Sequence, residues 1–212
     1  MWRLPACALL ALAAAAQPAT ITGRVFDVYH RPVRSARVAT MTRKTVGGTE
    51  QIVAGAQATV DDAGMYRLAL PAGRYVLAVL PPPGEMDFAT VFPAYFYDTV
   101  EFAKAQPVEV RAGEIRPFTD FLLLEVESHR AAGRVSGASS DGITVALHSA
   151  SGYMGPLCVT TTDRQGWFRF EHLAAGSYDL TAFGAGKSGK VHVDLTAPEV
   201  SGIQIHLRPA AR

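Results

Sequence analysis

The chain has 212 residues, which suits one large domain or two domains of about 100 residues each. Hydrophobic residues make up 49% of the composition and charged residues only 18%, with 19 Gly and 13 Pro, a balance that favours a turn-rich β protein over a helical bundle. The 20 basic and 19 acidic residues nearly cancel and form no basic stripe, so nucleic acid is excluded as the expected partner.

The first residues have the pattern of a secretory signal. Arg3 supplies a positive charge, residues 4–16 form an apolar run, and small residues occupy the positions before a cleavage after Ala16. The run is shorter than the roughly 20 residues that a membrane-spanning helix needs. We therefore predict a signal peptide helix over 1–16 and an exported mature chain without a transmembrane segment. Its location would be periplasmic, cell-surface or secreted.

The remainder of the chain contains an internal repeat. The segments 21–25, 61–67 and 71–77 match the segments 131–135, 163–169 and 174–180 in the same order, at separations of 102 to 110 residues. Matches that keep their order at a nearly constant separation indicate two copies of one unit. Each copy has the size of a small domain rather than that of a solenoid repeat.

Within each copy the apolar residues recur with a period of two. Tyr66, Leu68 and Leu70 alternate with Arg67 and Ala69, and the same alternation recurs at 168–171, 191–194 and 203–206. Such alternation places one set of side chains in a core and the other in water. Short strands that Gly, Pro and Asp separate every 8 to 12 residues are typical of an antiparallel sandwich.

Two acidic residues and the one cysteine of the mature chain have structural interpretations. Asp61 and Asp163 each precede a Gly by three residues. An Asp side chain accepts backbone N–H groups where a turn begins, and Gly takes positive φ where it ends, so a hairpin turn is predicted in both copies. Cys158 lies in an apolar run and is expected to be a small buried core residue.

The repeated motifs resemble the carboxypeptidase regulatory-like domain, a transthyretin-like member of the carbohydrate-binding-like folds. The first copy reads Gly23-Arg24-Val25, then Asp61 to Tyr66, then Leu70-Pro71-Ala72-Gly73-Arg74-Tyr75; the second reads Gly133-Arg134-Val135, then Asp163 to Phe168, then Leu173-Ala174-Ala175-Gly176-Ser177-Tyr178. The resemblance implies an all-β chain of two tandem seven-stranded antiparallel Greek-key sandwiches. It places them at 19–126 and 127–212, on either side of a short polar link over 125–130, each with its own core.

Tyr75 and Tyr178 each follow a turn Gly by two residues and begin an apolar strand. We expect largely buried rings whose hydroxyls reach a polar partner, because a buried unpaired hydroxyl is unfavourable.

The first copy departs from the family pattern by a long insertion over 81–106. It concentrates six aromatic residues, which are the candidate ligand or partner surface: Phe88, Phe92, Tyr95, Phe96, Tyr97 and Phe102. Two interpretations remain open. The rings could form an exposed apolar patch that binds a partner or stacks on sugar rings, or they could pack against a sandwich face or into the groove between the two domains. Exposure of two or more of Phe92, Tyr95, Phe96 and Tyr97 in one patch would favour binding.

No catalytic pattern is found. The six His residues show no metal-ligand spacing, and no nucleophile elbow or phosphate-binding loop is present. No cofactor, metal or catalytic residue is therefore predicted. We expect a non-catalytic exported binding or structural module whose partner is a cell-envelope protein or an extracellular polymer such as a polysaccharide. A carbohydrate-binding module is the alternative, and a small hydrolase or metalloenzyme on this sandwich is a third hypothesis.

Overall fold

The computed structural model describes residues 17–82, 86–137 and 142–209, so the predicted signal peptide lies outside the described residues. The first repeat forms nine strands and one 3₁₀ turn at Phe102–Lys104. Its strands are β1 Ala19–Asp27, β2 Arg37–Val46, β3 Thr49–Thr59, β4 Met65–Leu70, β5 Gly73–Leu80, β6 Ala94–Tyr95, β7 Val108–Val110, β8 Ile115–Arg116 and β9 Phe121–Leu123.

The second repeat forms eight strands. They are β10 His129–Ser136, β11 Thr144–Ser149, β12 Cys158–Thr161, β13 Trp167–Leu173, β14 Gly176–Gly184, β15 Lys187–Leu195, β16 Glu199–His206 and β17 Arg208–Pro209. The prediction of an all-β, sandwich-like fold is confirmed.

Four sheets arise from these strands, two from each repeat. In the first repeat, one sheet has the order β4-β1-β8 with β9 also on β1, and the other has the order β3-β2-β5-β6 with β7 also on β5. In the second repeat the orders are β13-β10-β16 and β12-β11-β14-β15-β17. The strands β1 to β5 therefore correspond to β10 to β14, β7 corresponds to β15, and the pair β8 and β9 corresponds to the single strand β16.

The Gly of the repeated Gly-Arg-Val motif allows a neighbouring carbonyl to approach closely. A Cβ atom at Gly23 would collide with the backbone oxygen of Thr119, and one at Gly133 would collide with that of Ile203. Both carbonyls lie where the parallel partner of the first strand is irregular: β8 ends and β9 begins around Thr119, and the register of β16 shifts between Ala131 and Gly133. A side chain at either glycine would force these strands apart.

Both predicted Asp turns are confirmed. The Asp61 carboxylate accepts the backbone N–H groups of Ala63 and Met65 at 2.9 and 2.8 Å. The Asp163 carboxylate accepts those of Gln165 and Trp167 at the same two distances. The turn glycines 64 and 166 have φ of 78° and 84°, which is the backbone region that favours Gly. Both carboxylates therefore stabilise the hairpin turns through backbone hydrogen bonds.

Each repeat has its own apolar cluster, and the cluster of the second repeat extends onto the outer face of the first. Along β5, Leu77 and Val79 point into the first sandwich, whereas Ala78 and Leu80 belong to the apolar cluster of the second. The same division occurs on β2, where Ala39 and Met41 join the second cluster. The second cluster reaches the first repeat because the outer face of the β2–β5 sheet is apolar and the second repeat covers it.

Candidate functional site

The aromatic insertion is bound to the sheet that it leaves. Its strand β6 pairs with β5, with Tyr95 opposite Ala78. The Phe96 N–H donates to the Leu77 carbonyl at 2.9 Å, and the Phe96 carbonyl accepts the N–H of Gln106 at 2.7 Å. The segment is therefore an extra edge of the first sandwich rather than a free loop.

Most of the six predicted site residues are packed. Phe88 and Tyr95 are buried, Phe92, Phe96 and Phe102 are half-buried, and Tyr97 is 61% exposed. Tyr95 meets Phe102 edge to face with ring centroids 5.7 Å apart, and Phe96 meets Phe121 of β9 in the same manner at 5.7 Å. Burial raises the pKa of Tyr95 to about 12. The six rings do not form one exposed patch. Five of them are buried or half-buried against the protein, as the packing interpretation expects.

The insertion also packs in the groove between the repeats. Phe92 contacts both apolar clusters, and Phe102 packs against the cluster of the second repeat. The Ala89 carbonyl accepts the N–H of Val126 at 2.9 Å, and Thr90 forms a parallel bridge with Leu173 of β13. The insertion therefore joins the first sandwich to the link and to the second sandwich.

A second backbone connection lies at β3. The Ile52 N–H donates to the Gly152 carbonyl at 2.9 Å, and the Ile52 carbonyl accepts the N–H of Met154 at 3.1 Å. Tyr153, between these two partners, is buried with the second cluster. The β11–β12 loop of the second repeat thus extends the β3 edge and covers the outer face of β2 and β5. We call the outer face of β2 and β5, together with the contacts of 152–154 with β3 and of Ala89, Thr90, Phe92 and Phe102 with the link and the second repeat, the seam.

The equivalent outer face of the second repeat is open. Leu80 is 1% exposed at the seam, whereas Phe183, its counterpart at the end of β14, is 47% exposed. Asp179 and Thr181 fill the outward positions that precede Phe183. The outward positions of this face are therefore more polar than those of the covered face of the first repeat.

An exposed ionic ladder runs across this open face. The Asp179 carboxylate pairs with Lys190 at 2.9 Å and with Nδ1 of His192 at 3.0 Å, and Nε2 of His192 lies 3.4 Å from Asp194. The hydrogen bond to Asp179 raises the pKa of His192, and the hydrogen bond from Lys190 lowers the pKa of Asp179. Within the described ranges, no group of three or more His, Cys, Asp and Glu side chains could hold a metal ion. The ladder is a network of solvated ion pairs.

The repeated tyrosines close the turns that precede their strands. The Tyr75 hydroxyl donates to the Pro71 carbonyl at 2.9 Å, and the Tyr178 hydroxyl donates to the Ala174 carbonyl at 2.8 Å. Tyr178 is buried, which raises its pKa to about 12, and Tyr75 is half-buried. The predicted polar partners are confirmed in both copies, and these rings serve the fold.

A cavity of about 140 Å³ opens at the edge of the second sandwich, between β12 and β13. Pro81, Thr90 and Phe92 cover it from the first repeat. Met86 of the first repeat also lines it, and the rest of its lining comes from the second repeat: Leu147, 157–160, 169–174 and Tyr178. Cys158, predicted to be buried, is only partly buried and lies in this lining.

A β-bulge shapes one wall of the cavity. Glu171 and His172 together stand opposite the single residue Arg130 of β10, and His172 has a φ of 53°. The bulge brings six consecutive residues, 169–174, to the cavity wall, whereas a regular strand presents every second residue. The corresponding strand β4 pairs with β1 without a register shift. The bulge in β13 is visible in the sequence as one additional residue: Asp61 precedes Pro71 by ten positions, whereas Asp163 precedes Ala174 by eleven.

The comparisons with known proteins identify no family. No protein-family model matches the chain, and no curated protein sequence matches it. Solved structures that it resembles include a Bacillus anthracis protein and two pilins. The Bacillus anthracis TIE protein has a TM-score of 0.35 and 13% identity, over 90% of this chain and 34% of that one.

A Streptococcal ancillary pilin has a TM-score of 0.34 and 13% identity, over 93% of this chain and 64% of that one. The shaft pilin SpaA of Lactobacillus rhamnosus GG has a TM-score of 0.33 and 13% identity, over 93% and 99%. The chain thus spans about a third of the first of these proteins and less than two thirds of the second. We draw no functional inference from likenesses of this degree.

Sequence reasoning did not identify the seam, although a signal for it was present. Residues 75–80 of β5 form an unbroken apolar run, and the matching residues 178–183 of β14 alternate with Asp179 and Thr181. A continuous apolar strand is buried on both faces, whereas an alternating one is buried on a single face.

Among the described residues, no helix is long and apolar enough to cross a membrane.

Proposed function

We propose that the chain is a non-catalytic exported module of two carboxypeptidase regulatory-like domains, at 19–126 and 127–212, that acts as a rigid structural or binding unit. Its partner is a cell-envelope protein or an extracellular polymer. The seam is the observation that carries this proposal. Two tethered domains move freely unless their interface is large and apolar, and here backbone hydrogen bonds and a shared apolar cluster join them.

The repeated acids and the ionic ladder have local structural roles, which agree with a non-catalytic module. The acids of the repeated turns accept backbone N–H groups, and the ladder at His192 is exposed to solvent on the β14–β15 pair. Acid–base chemistry needs titratable groups that converge where water is excluded. The hydrolase and metalloenzyme hypotheses therefore receive no support from these groups.

The carbohydrate-binding alternative requires an exposed row of aromatic rings. Of the six insertion rings only Tyr97 is mostly exposed, and a single ring offers little stacking area. The structural reading is therefore preferred. Tyr97 and the nearby Val100, which is 52% exposed, are the apolar side chains of the insertion that a partner could still contact.

The rigidity is tested with a pair of matched substitutions. Leu80→Glu places a carboxylate in the seam, and Phe183→Glu places the same group at the equivalent position of the open face. Burial of an unpaired charge is strongly unfavourable, so we expect Leu80→Glu to separate the domains and increase the radius of gyration in small-angle X-ray scattering. Phe183→Glu should scatter like the wild type. A wild-type chain that scatters as two freely jointed domains would contradict the proposal.

The partner is tested by retention of residues 17–212 on cell-envelope fractions and on insoluble polysaccharides. We expect retention of the wild type on one of these classes, and equal retention of Phe183→Glu if binding uses a different face. Tyr97→Ser tests whether the insertion contributes to this retention, and Tyr29→Ser, at a similarly exposed tyrosine, is the control. Turnover of ester, peptide or glycoside substrates by the purified protein would overturn the non-catalytic assignment.

A further inference from the structure

The cavity between β12 and β13 has the features of a small-molecule site, which the proposed structural role does not require. Its volume of about 140 Å³ is close to that of an engineered apolar cavity of about 150 Å³ that takes up benzene. A cavity of this size holds one six-membered ring.

The inner walls favour an aromatic ring. Leu147, Leu157 and Leu173 supply aliphatic contacts, and Phe92 and Phe170 add aromatic ones. Aromatic rings that meet edge to face or in offset stacks contribute beyond the area that they bury. The ring of a ligand would therefore replace solvent at these walls.

One basic side chain lies at the solvent side of the cavity. Arg169 lines the cavity and pairs with Glu171, which also lines it and pairs in addition with Arg130 at 3.0 Å. The side chain of Arg169 is 59% exposed, and its guanidinium carries N–H donors beyond those that face Glu171. Arg presents a planar fork of N–H donors that matches a carboxylate.

The bulge supports a role for this wall beyond packing. A non-Gly residue at positive φ is uncommon, and such residues cluster at ligand sites. His172 of β13 has this conformation, whereas the equivalent strand β4 of the first repeat lacks the additional residue and pairs regularly. The wall that carries Arg169, Glu171 and His172 is therefore a local departure from the repeated design, and it occurs where the cavity lies.

We propose that the cavity between β12 and β13, closed by Pro81, Thr90 and Phe92 of the first repeat, binds a small aromatic carboxylate of one ring. The ring lies against Leu147, Phe170 and Leu173, and the carboxylate lies on the side of Arg169. Because the lining comes from both repeats, occupancy would also tighten the seam.

The test uses sodium benzoate as the probe and the full mature chain. Titration followed by amide chemical shifts should give a Kd on the order of 1 mM, as expected for a ligand of this size. The shifts should be confined to 157–160, 169–174 and the covering residues. Toluene, which lacks the anion, and acetate, which lacks the ring, should each bind at least about tenfold more weakly. No saturable shift with benzoate up to 20 mM, or equal binding of acetate, would overturn the proposal.

Two variants locate the site. Arg169→Gln should weaken benzoate binding by about tenfold, whereas Arg67→Gln, the matched change in the first repeat, should leave it unchanged. Cys158→Leu fills the cavity and should abolish binding in a folded protein. If Cys158→Leu does not fold, the two arginine variants decide the question. Equal affinities of Arg169→Gln and Arg67→Gln would refute the assignment. The scattering of the wild type, Leu80→Glu and Phe183→Glu tests the proposed module separately from this site.

Discussion

The hydroxyl of Tyr66 offers a sharp test of how the first sandwich is held together. Tyr66 is 3% exposed, and its hydroxyl donates to the Thr119 carbonyl at 2.6 Å. That carbonyl occupies the close approach at Gly23, where β8 gives way to β9. Tyr66→Phe removes the donor and keeps the ring, so it isolates one hydrogen bond at the irregular part of the sheet.

The expected cost follows from the burial of the acceptor. A buried carbonyl that loses its donor costs about 1–3 kcal/mol, and we expect Tyr66→Phe to lower the free energy of unfolding by about 2 kcal/mol. Steric effects should be small because the second repeat carries Phe168 at the equivalent position, where it is 4% exposed. The ring of Tyr66 would keep its contact with Phe121, at a centroid distance of 6.2 Å.

The measurement is urea denaturation followed by circular dichroism, with Tyr97→Phe as the control. Tyr97 is 61% exposed, so its hydroxyl should contribute less than about 0.5 kcal/mol. Hydrogen exchange should show faster opening of β1 and β4. Burial also raises the pKa of Tyr66, so the wild type should lose stability as pH rises above about 10, and Tyr66→Phe should lose less. A stability change below about 0.5 kcal/mol would refute the reasoning.

Three further predictions concern the second repeat. Gly133→Ala should destabilise the protein by about 1–3 kcal/mol, because its Cβ would collide with the Ile203 carbonyl; an unchanged melting temperature would contradict this. Asp163→Ala should cost about 1–2 kcal/mol in urea unfolding through loss of two turn hydrogen bonds, and Asp163→Asn should recover part of it. The hydrogen bond to Asp179 raises the pKa of His192, so its contribution is present below about pH 6.5 and is lost as pH rises through the folded pKa. Wild type should therefore exceed His192→Gln in melting temperature at about pH 5.5 and match it at about pH 9.

The class of fold follows from local patterns in the sequence. Alternation of apolar residues, the Asp-x-x-Gly turns and the repeated Tyr after a turn Gly are short-range signals, and each acts through contacts within a few residues or with an adjacent strand. The hydrogen bonds of Asp61, Asp163, Tyr75 and Tyr178 have partners within four residues. Such features could be predicted from one chain without knowledge of the tertiary structure.

The seam and the cavity depended on tertiary structure because they join residues that are far apart in sequence. The apolar run of β5 indicates that both its faces are buried, but it does not say what covers the second face, which is the β11–β12 loop about 75 residues later. The aromatic insertion likewise carried two interpretations, since the same rings are favourable on an interface and in a core. The additional residue in β13 is visible in the sequence, but its effect on the cavity wall appears only when β12 and the insertion are in place.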